Sequence, residues 1–178
     1  MQKPDFDHLI AAAASICEES EIVVIGSQAI LGSVEDPPQT MLLSLEADVY
    51  PRKNPERAEE IDAVLGDGSP FQSTYGYYAH GVGPETAKAP ADWEDRLVHV
   101  EVQRRPGEVG RVVALCLERH DLVLAKCAAG RERDWEFARD ALAAGLVELD
   151  ELLRRSEALP LTAEEKHGLR TMLKAIAT

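Results

Sequence analysis

A short apolar run that breaks at a glycine, followed by an acidic strand, constrains this chain more than any other feature. Glu21-Ile22-Val23-Val24-Ile25-Gly26-Ser27-Gln28-Ala29-Ile30 reads as a buried strand that turns at Gly26-Ser27 into a helix. Farther on, the segment from Leu43 to Tyr50 alternates. Leu43, Leu45, Ala47 and Val49 predict one strand face; Ser44, Glu46, Asp48 and Tyr50 predict the other. The carboxylates of Glu46 and Asp48 therefore point the same way. Like charges so close repel unless a cation lies between them, and hard oxygen ligands suit Mg²⁺. A glycine turn at a helix start offers backbone N–H groups to a phosphate, and a side chain at Gly26 would obstruct it. Ser27 can cap the helix and also hydrogen-bond that phosphate.

At 178 residues the chain predicts one domain with a helical piece appended. The division falls at 1–118 for a mixed-sheet core and 119–178 for a C-terminal helical segment packed on it. A formal net charge of −13 argues against broad nucleic-acid binding, though an RNA held at a small basic patch is compatible with it. Cys17, Cys116 and Cys127 form no Cys-x-x-Cys pair and read as reduced core thiols. Asp5, Asp7 and His8 replace the basic start of a secretory signal, and the Ala11–Ala14 run is too short for a membrane span. The expected location is cytoplasmic. The five histidines are scattered, without zinc-site spacing.

Taken in order, Asp5 caps a first helix with Phe6, Leu9, Ile10, Ala13, Ile16 and Cys17 on its apolar face. Gln28 to Val34 make about two helical turns. Pro37 and Pro38 keep Glu35–Thr40 a loop. Asn54 and Pro55 open a helix that buries Ala58, Ile61, Val64 and Leu65. Arg52, Lys53 and Arg57 are open to two readings: solvated charge, or a contact to triphosphate or polynucleotide backbone. The β-formers of Phe71–Val82 predict a strand or hairpin arm, and Tyr75, Tyr77 and Tyr78 read as sheet packing or as a shelf for bases. Arg96–Gln103 alternates as a strand, Pro106-Gly107 turns the chain, and Val112–Leu117 returns. His120 or Asp121 caps a helix through Gly130, Asp134 and Trp135 begin another, and Leu149, Leu152 and Leu153 mark a third. Thr162 and Glu165 form a capping box for the last, which buries Leu169, Leu173 and Ile176. The fold class is α/β (α+β).

Ile25-Gly26-Ser27 and Glu46-Ala47-Asp48 resemble the nucleotidyltransferase superfamily, whose pattern is strand, Gly-Ser or Gly-Gly, helix, then an acid-x-acid strand. The segment from His120 to Asp134, with Asp121-Leu122, Lys126, Arg131 and Asp134, resembles small bacterial nucleotidyltransferase-like proteins. Those include toxin members of abortive-infection-type toxin–antitoxin pairs and a group labelled as domains of unknown function. The resemblance runs from Glu21 to Leu142. It implies a mixed sheet with flanking helices, and metal-dependent transfer from an NTP to an RNA, protein or small-molecule acceptor. Glu46 and Asp48 would bind Mg²⁺ (or Mn²⁺), Gly26 and Ser27 the phosphates. Lys126 and Arg131 would contact nucleotide, with Asp121 and Asp134 in support; residue type alone equally fits surface ion pairs for these four. Glu101 is open between a third catalytic acid on a later neighbouring strand and an edge-strand charge. An antitoxin partner follows from the toxin resemblance; a membrane partner and extended DNA binding do not. The alternative is a catalytically inactive module that senses nucleotide or binds a protein. The long interval between Ser27 and Glu46 favours that alternative.

Overall fold

A computed structural model describes residues 1–102 and 110–177. Five strands form one mixed sheet: β1 (Glu21–Val24), β2 (Glu46–Pro51), β3 (Tyr78–Gly81), β4 (Val98–Glu101) and β5 (Val113–Cys116). Their order across the sheet is β3-β2-β1-β5-β4. β1 runs antiparallel to β2 and parallel to β5; β2 and β3 are parallel, and β4 and β5 antiparallel. The expected Pro106-Gly107 turn and the end of the strand at Gln103 lie outside the described residues.

Period-two alternation gives the sheet two apolar faces. Ile22, Val24, Ala47, Val49, Ala79, Ala114 and Cys116 belong to the larger core. That core is closed by α1 (Lys3–Cys17), which packs across β1, β2 and β3, and by α3 (Ala58–Leu65). Phe6, Leu9 and Ile10 of α1 are fully buried. Each stabilises the fold by roughly 1.5–3 kcal/mol relative to exposure. On the opposite face Val23, Ile25, Tyr50 and Leu115 are covered by Val82, Ala87, Trp93 and Leu97 from the segment between β3 and β4. Glu46, Asp48 and His80 continue that second face past the cover.

The C-terminal part is four helices: α5 (Arg119–Ala129), α6 (Glu132–Ala143), α7 (Leu149–Ser156) and α8 (Ala163–Ile176). The Thr162 capping box is present, with Leu169 and Leu173 buried and Ile176 packed at the edge. No helix among the described residues is long and apolar enough to cross a membrane.

Four local expectations are corrected. Leu43 and Leu45 do not belong to the strand; they are 77% and 54% exposed. Ser44 holds the backbone off the ladder: its carbonyl accepts from Gln28 Nε2 at 2.9 Å, and its hydroxyl accepts from the Glu46 amide at 3.1 Å. Phe71–Tyr75 is a helix, α4 (Pro70–Tyr75), because Ser69 caps it by accepting from the Gln72 amide at 3.1 Å and Pro70 suits the first turn. Its aromatics cluster with His8 of α1, the His8 and Tyr75 rings 4.6 Å apart. Glu118, not His120 or Asp121, caps α5, its carboxylate accepting from the His120 amide at 3.0 Å. Asp5 stands inside α1 rather than before it, reaching back to the Gln2 amide at 3.3 Å.

Candidate active site

At the end of β1 the Ile25 amide still donates to the Asp48 carbonyl, 3.0 Å away, before the chain leaves the sheet at Gly26. A short 3-10 turn, Ser27–Ala29, follows and leads into α2 (Ile30–Ser33). Gly26 is tight against the acid strand. A Cβ built there would stand 2.0 Å from Asp48 Oδ2. Only glycine lets the turn and the carboxylate share this space. The long interval from Ser27 to Glu46 does not separate them. It is folded back by the 3-10 turn Gln39–Leu42, which buries Met41 and Leu42, and by the Gln28–Ser44 bond.

Register then brings a third side chain to the acids. β3 lies beside β2 with Tyr78 level with Glu46 and His80 level with Asp48. His80 Nδ1 is 3.1 Å from Asp48 Oδ1 and 3.3 Å from Glu46 Oε1. The Tyr78 hydroxyl donates to Glu46 Oε2 at 2.8 Å, which turns the other oxygen toward the histidine. Ligand atoms of Glu46, Asp48 and His80 all lie within 4.8 Å of one another. Adjacent donors around an octahedral cation with bonds of about 2.1 Å stand about 3 Å apart. The two separations from His80 are close to that spacing.

The electrostatics agree with that chemistry. Burial first, and then the Glu46 carboxylate beside it, push the Asp48 carboxyl above its usual range, with His80 pulling the other way. Burial disfavours a charged His80, but its hydrogen bond to Asp48 and the field of Asp48, Glu46 and Asp62 outweigh this and raise its pKa. The bond to Glu46, then burial, lift the Tyr78 hydroxyl to about 12.

These groups form one end of a cleft of about 1010 Å³, which Gly26, Ser27, Glu46, Asp48 and His80 share with residues of α5 and α6. Across it stand Lys126, Arg131, Arg133, Phe137 and Arg139 together with the acids Asp134, Glu136 and Asp140, and Lys88 also lines the cleft. Lys126 Nζ donates to Asp134 Oδ1 at 3.2 Å and lies 4.7 Å from the centre of the Phe137 ring. Its stem crosses apolar surface while its ammonium stays in the cleft. Arg131 is 3.7 Å from Asp134 Oδ2, and its backbone amide donates to the same oxygen. Asp134 is thus a buried holder of both cations. Lys88, Arg133 and Arg139 line the cleft with no ion pair among the described residues.

Two expected residues are not brought to the cleft. Glu101 sits on β4, with β1 and β5 between it and β2. It pairs with Val113, which is level with Glu21 at the opposite end of β1 from Gly26. Its charge faces Arg111, 3.8 Å away; of its two readings, an exposed edge-strand charge matches this position. Asp121 is fully buried and clamps Arg96 at 2.7 Å and Arg155 at 3.1 Å; its support is to the packing of α5 and α7, away from the cleft. Arg52 and Arg57 are spent on Glu94 and Glu60, the solvated reading of those charges. Spacing in the sequence does not single out His80. The period-two pair Tyr78 and His80 carries the only local signal, and it gains meaning through the register with β2.

A protein-family model described as "Nucleotidyltransferase of unknown function (DUF6036)" matches residues 5–175. The chain belongs to this family. The nucleotidyltransferase match spans the sheet, the acid strand and all four C-terminal helices, so the cleft as a whole falls within it. No curated protein and no solved structure matches.

Proposed function

We propose that the chain transfers a nucleotidyl group from an NTP to a hydroxyl-bearing acceptor in a divalent-metal-dependent reaction. The observation that carries this is the meeting of Glu46 and Asp48 with the Gly26 turn at one end of a cleft whose other wall carries Lys126, Arg131, Arg133 and Arg139 among the acids Asp134, Glu136 and Asp140. Glu46 and Asp48 would hold Mg²⁺ or Mn²⁺, whose charge offsets that developing on the leaving pyrophosphate. The turn at Gly26, which leaves room for the Asp48 carboxyl, would bring a phosphate to the backbone beside the carboxylates, and Ser27 would offer it a hydroxyl. Lys126 and Arg131, steadied by Asp134, set positive charge along the triphosphate. The acceptor hydroxyl releases its proton to solvent as its oxygen bonds to the α-phosphorus and the bond to pyrophosphate breaks; the pocket's work is to align these atoms and stabilise charge.

The acceptor is an RNA, a protein or a small molecule, and the toxin resemblance supports a cellular role opposed by an antitoxin partner. Incubation with each radiolabelled NTP, Mg²⁺ or Mn²⁺, and total cellular RNA or protein tests this. Label should move from one NTP to one acceptor class and stay in the nucleotide with Asp48→Asn. Absence of transfer with every NTP, metal and acceptor would favour the second reading, a nucleotide-sensing or protein-binding module. The observation behind that second reading is the position of Glu101, which leaves two carboxylates and a histidine where the resemblance implies a third acid.

A further inference from the structure

We propose that His80 is the third protein ligand of the cation site and that it tunes the site toward first-row transition dications, Mn²⁺ and beyond, over Mg²⁺. This rests on the reading of Glu46 and Asp48 as metal ligands and adds the residue that sets metal choice. The geometry is built from three sides. Gly26 packs against Asp48 Oδ2, leaving Oδ1 toward His80. Tyr78 occupies Glu46 Oε2, leaving Oε1 toward His80. The parallel register of β3 on β2 fixes the imidazole level with Asp48. Three donor atoms, two oxygens and one nitrogen, converge, and the ring is 52% exposed, so it can be reached from the cleft.

Ligand chemistry turns this convergence into a preference. Mg²⁺ sites are made of oxygen and water, whereas imidazole nitrogen favours the first-row transition ions, with affinity rising from Mn²⁺ toward Cu²⁺. A carboxylate in place of His80 would make the site all oxygen. The histidine costs Mg²⁺ a hard oxygen donor and gives a transition ion a borderline nitrogen one. Tyr78 acts on the ligand set by orienting Glu46, as partners of ligating carboxylates do.

The test uses the full chain with Mn²⁺ alone and with Mg²⁺ as competitor, read by electron paramagnetic resonance. Bound Mn²⁺ should show coupling to one imidazole ¹⁴N, and Mg²⁺ should displace it only in large excess. His80→Ala should remove the ¹⁴N coupling and weaken Mn²⁺ by about tenfold or more, with the competing strength of Mg²⁺ little changed. His80→Asp should restore cation binding without ¹⁴N coupling and shift preference toward Mg²⁺. Thermal unfolding of each variant confirms that the edge strand still folds. Mn²⁺ bound to the wild type without ¹⁴N coupling, or unchanged Mn²⁺ affinity in folded His80→Ala, overturns the assignment of His80 and leaves the two carboxylates standing. No binding of either cation, with or without a non-hydrolysable NTP analogue, overturns the carboxylate site and this inference with it.

Discussion

Gly26 carries no side chain because the Asp48 carboxyl occupies the place of its Cβ, 2.0 Å from Oδ2. Gly26→Ala must therefore push that carboxyl aside. Overpacking costs about 1–3 kcal/mol, and Asp48, with 27% of its side chain exposed, can yield, which puts the cost at the low end. The variant should fold, with a melting temperature a few degrees lower, and should bind nucleotide with metal at least about tenfold more weakly. Calorimetric titration and thermal unfolding on the same sample check this; unchanged binding would mean the Asp48 rotamer does not matter. Glu46, Asp48 and Gly26 were legible because they depend on short-range order: period two along one strand and a break at a glycine. His80 was not, since its meaning lies in which strand neighbours β2 and in what register. Glu101 stays open between two readings in the sequence for the same reason. Alternation placed it on a strand face, but sheet order put that strand at the far edge.

At the scale of elements, α5 and α6 present Lys126, Arg131 and Asp134 to the cleft, and the start of α5 is fixed by an ionic cluster. Glu118 accepts from His120 Nδ1 at 2.8 Å and from Arg155 at 2.6 Å, while His120 Nε2 meets Glu148 at 2.6 Å. Burial alone would raise the Glu118 carboxyl, but His120 and Arg155 hold it down at about 2. Burial alone would lower His120, yet Glu118 and Glu148 raise it above its usual 6.5. The Glu118 contribution is complete above its ordinary 4.5 and is lost as pH falls toward 2. The His120 contribution is complete below 6.5 and is lost as pH rises through its elevated value. The cluster should stabilise most between 4.5 and 6.5. Urea unfolding across pH should show both limbs in the wild type and flatter ones in Glu118→Gln; superimposable profiles would assign the pH dependence elsewhere. Helix positions in this half were readable from apolar spacing and the Thr162 box. The caps at Glu118 and Ser69 are not legible in the sequence, because glutamate is an uncommon cap and the aromatics after Pro70 favour a strand.

Over the whole molecule, acidity and a local group of cations coexist. A net charge of −13 repels polynucleotide at long range, while Lys88, Lys126, Arg131, Arg133 and Arg139 face the cleft. An RNA acceptor should therefore be held by on the order of two to four phosphate contacts, with a salt slope near −0.7 per contact for single strands. Random duplex DNA should show no measurable affinity at physiological salt, and a steep slope or tight duplex binding would reverse this view of the charge distribution. The overall class, a mixed sheet with helices around it and after it, was readable from the order of strand and helix patterns. The cleft was not, because its walls come from segments distant in the chain, Glu46–His80 and Lys126–Arg139. The central claim is that these segments make one metal-dependent nucleotide site. Equilibrium binding of a non-hydrolysable NTP analogue, with and without Mn²⁺, to wild type and Asp48→Asn tests it most directly. Tight binding only with metal, lost in a folded Asp48→Asn, is the predicted result; equal affinity in both proteins, or no dependence on metal, would contradict it.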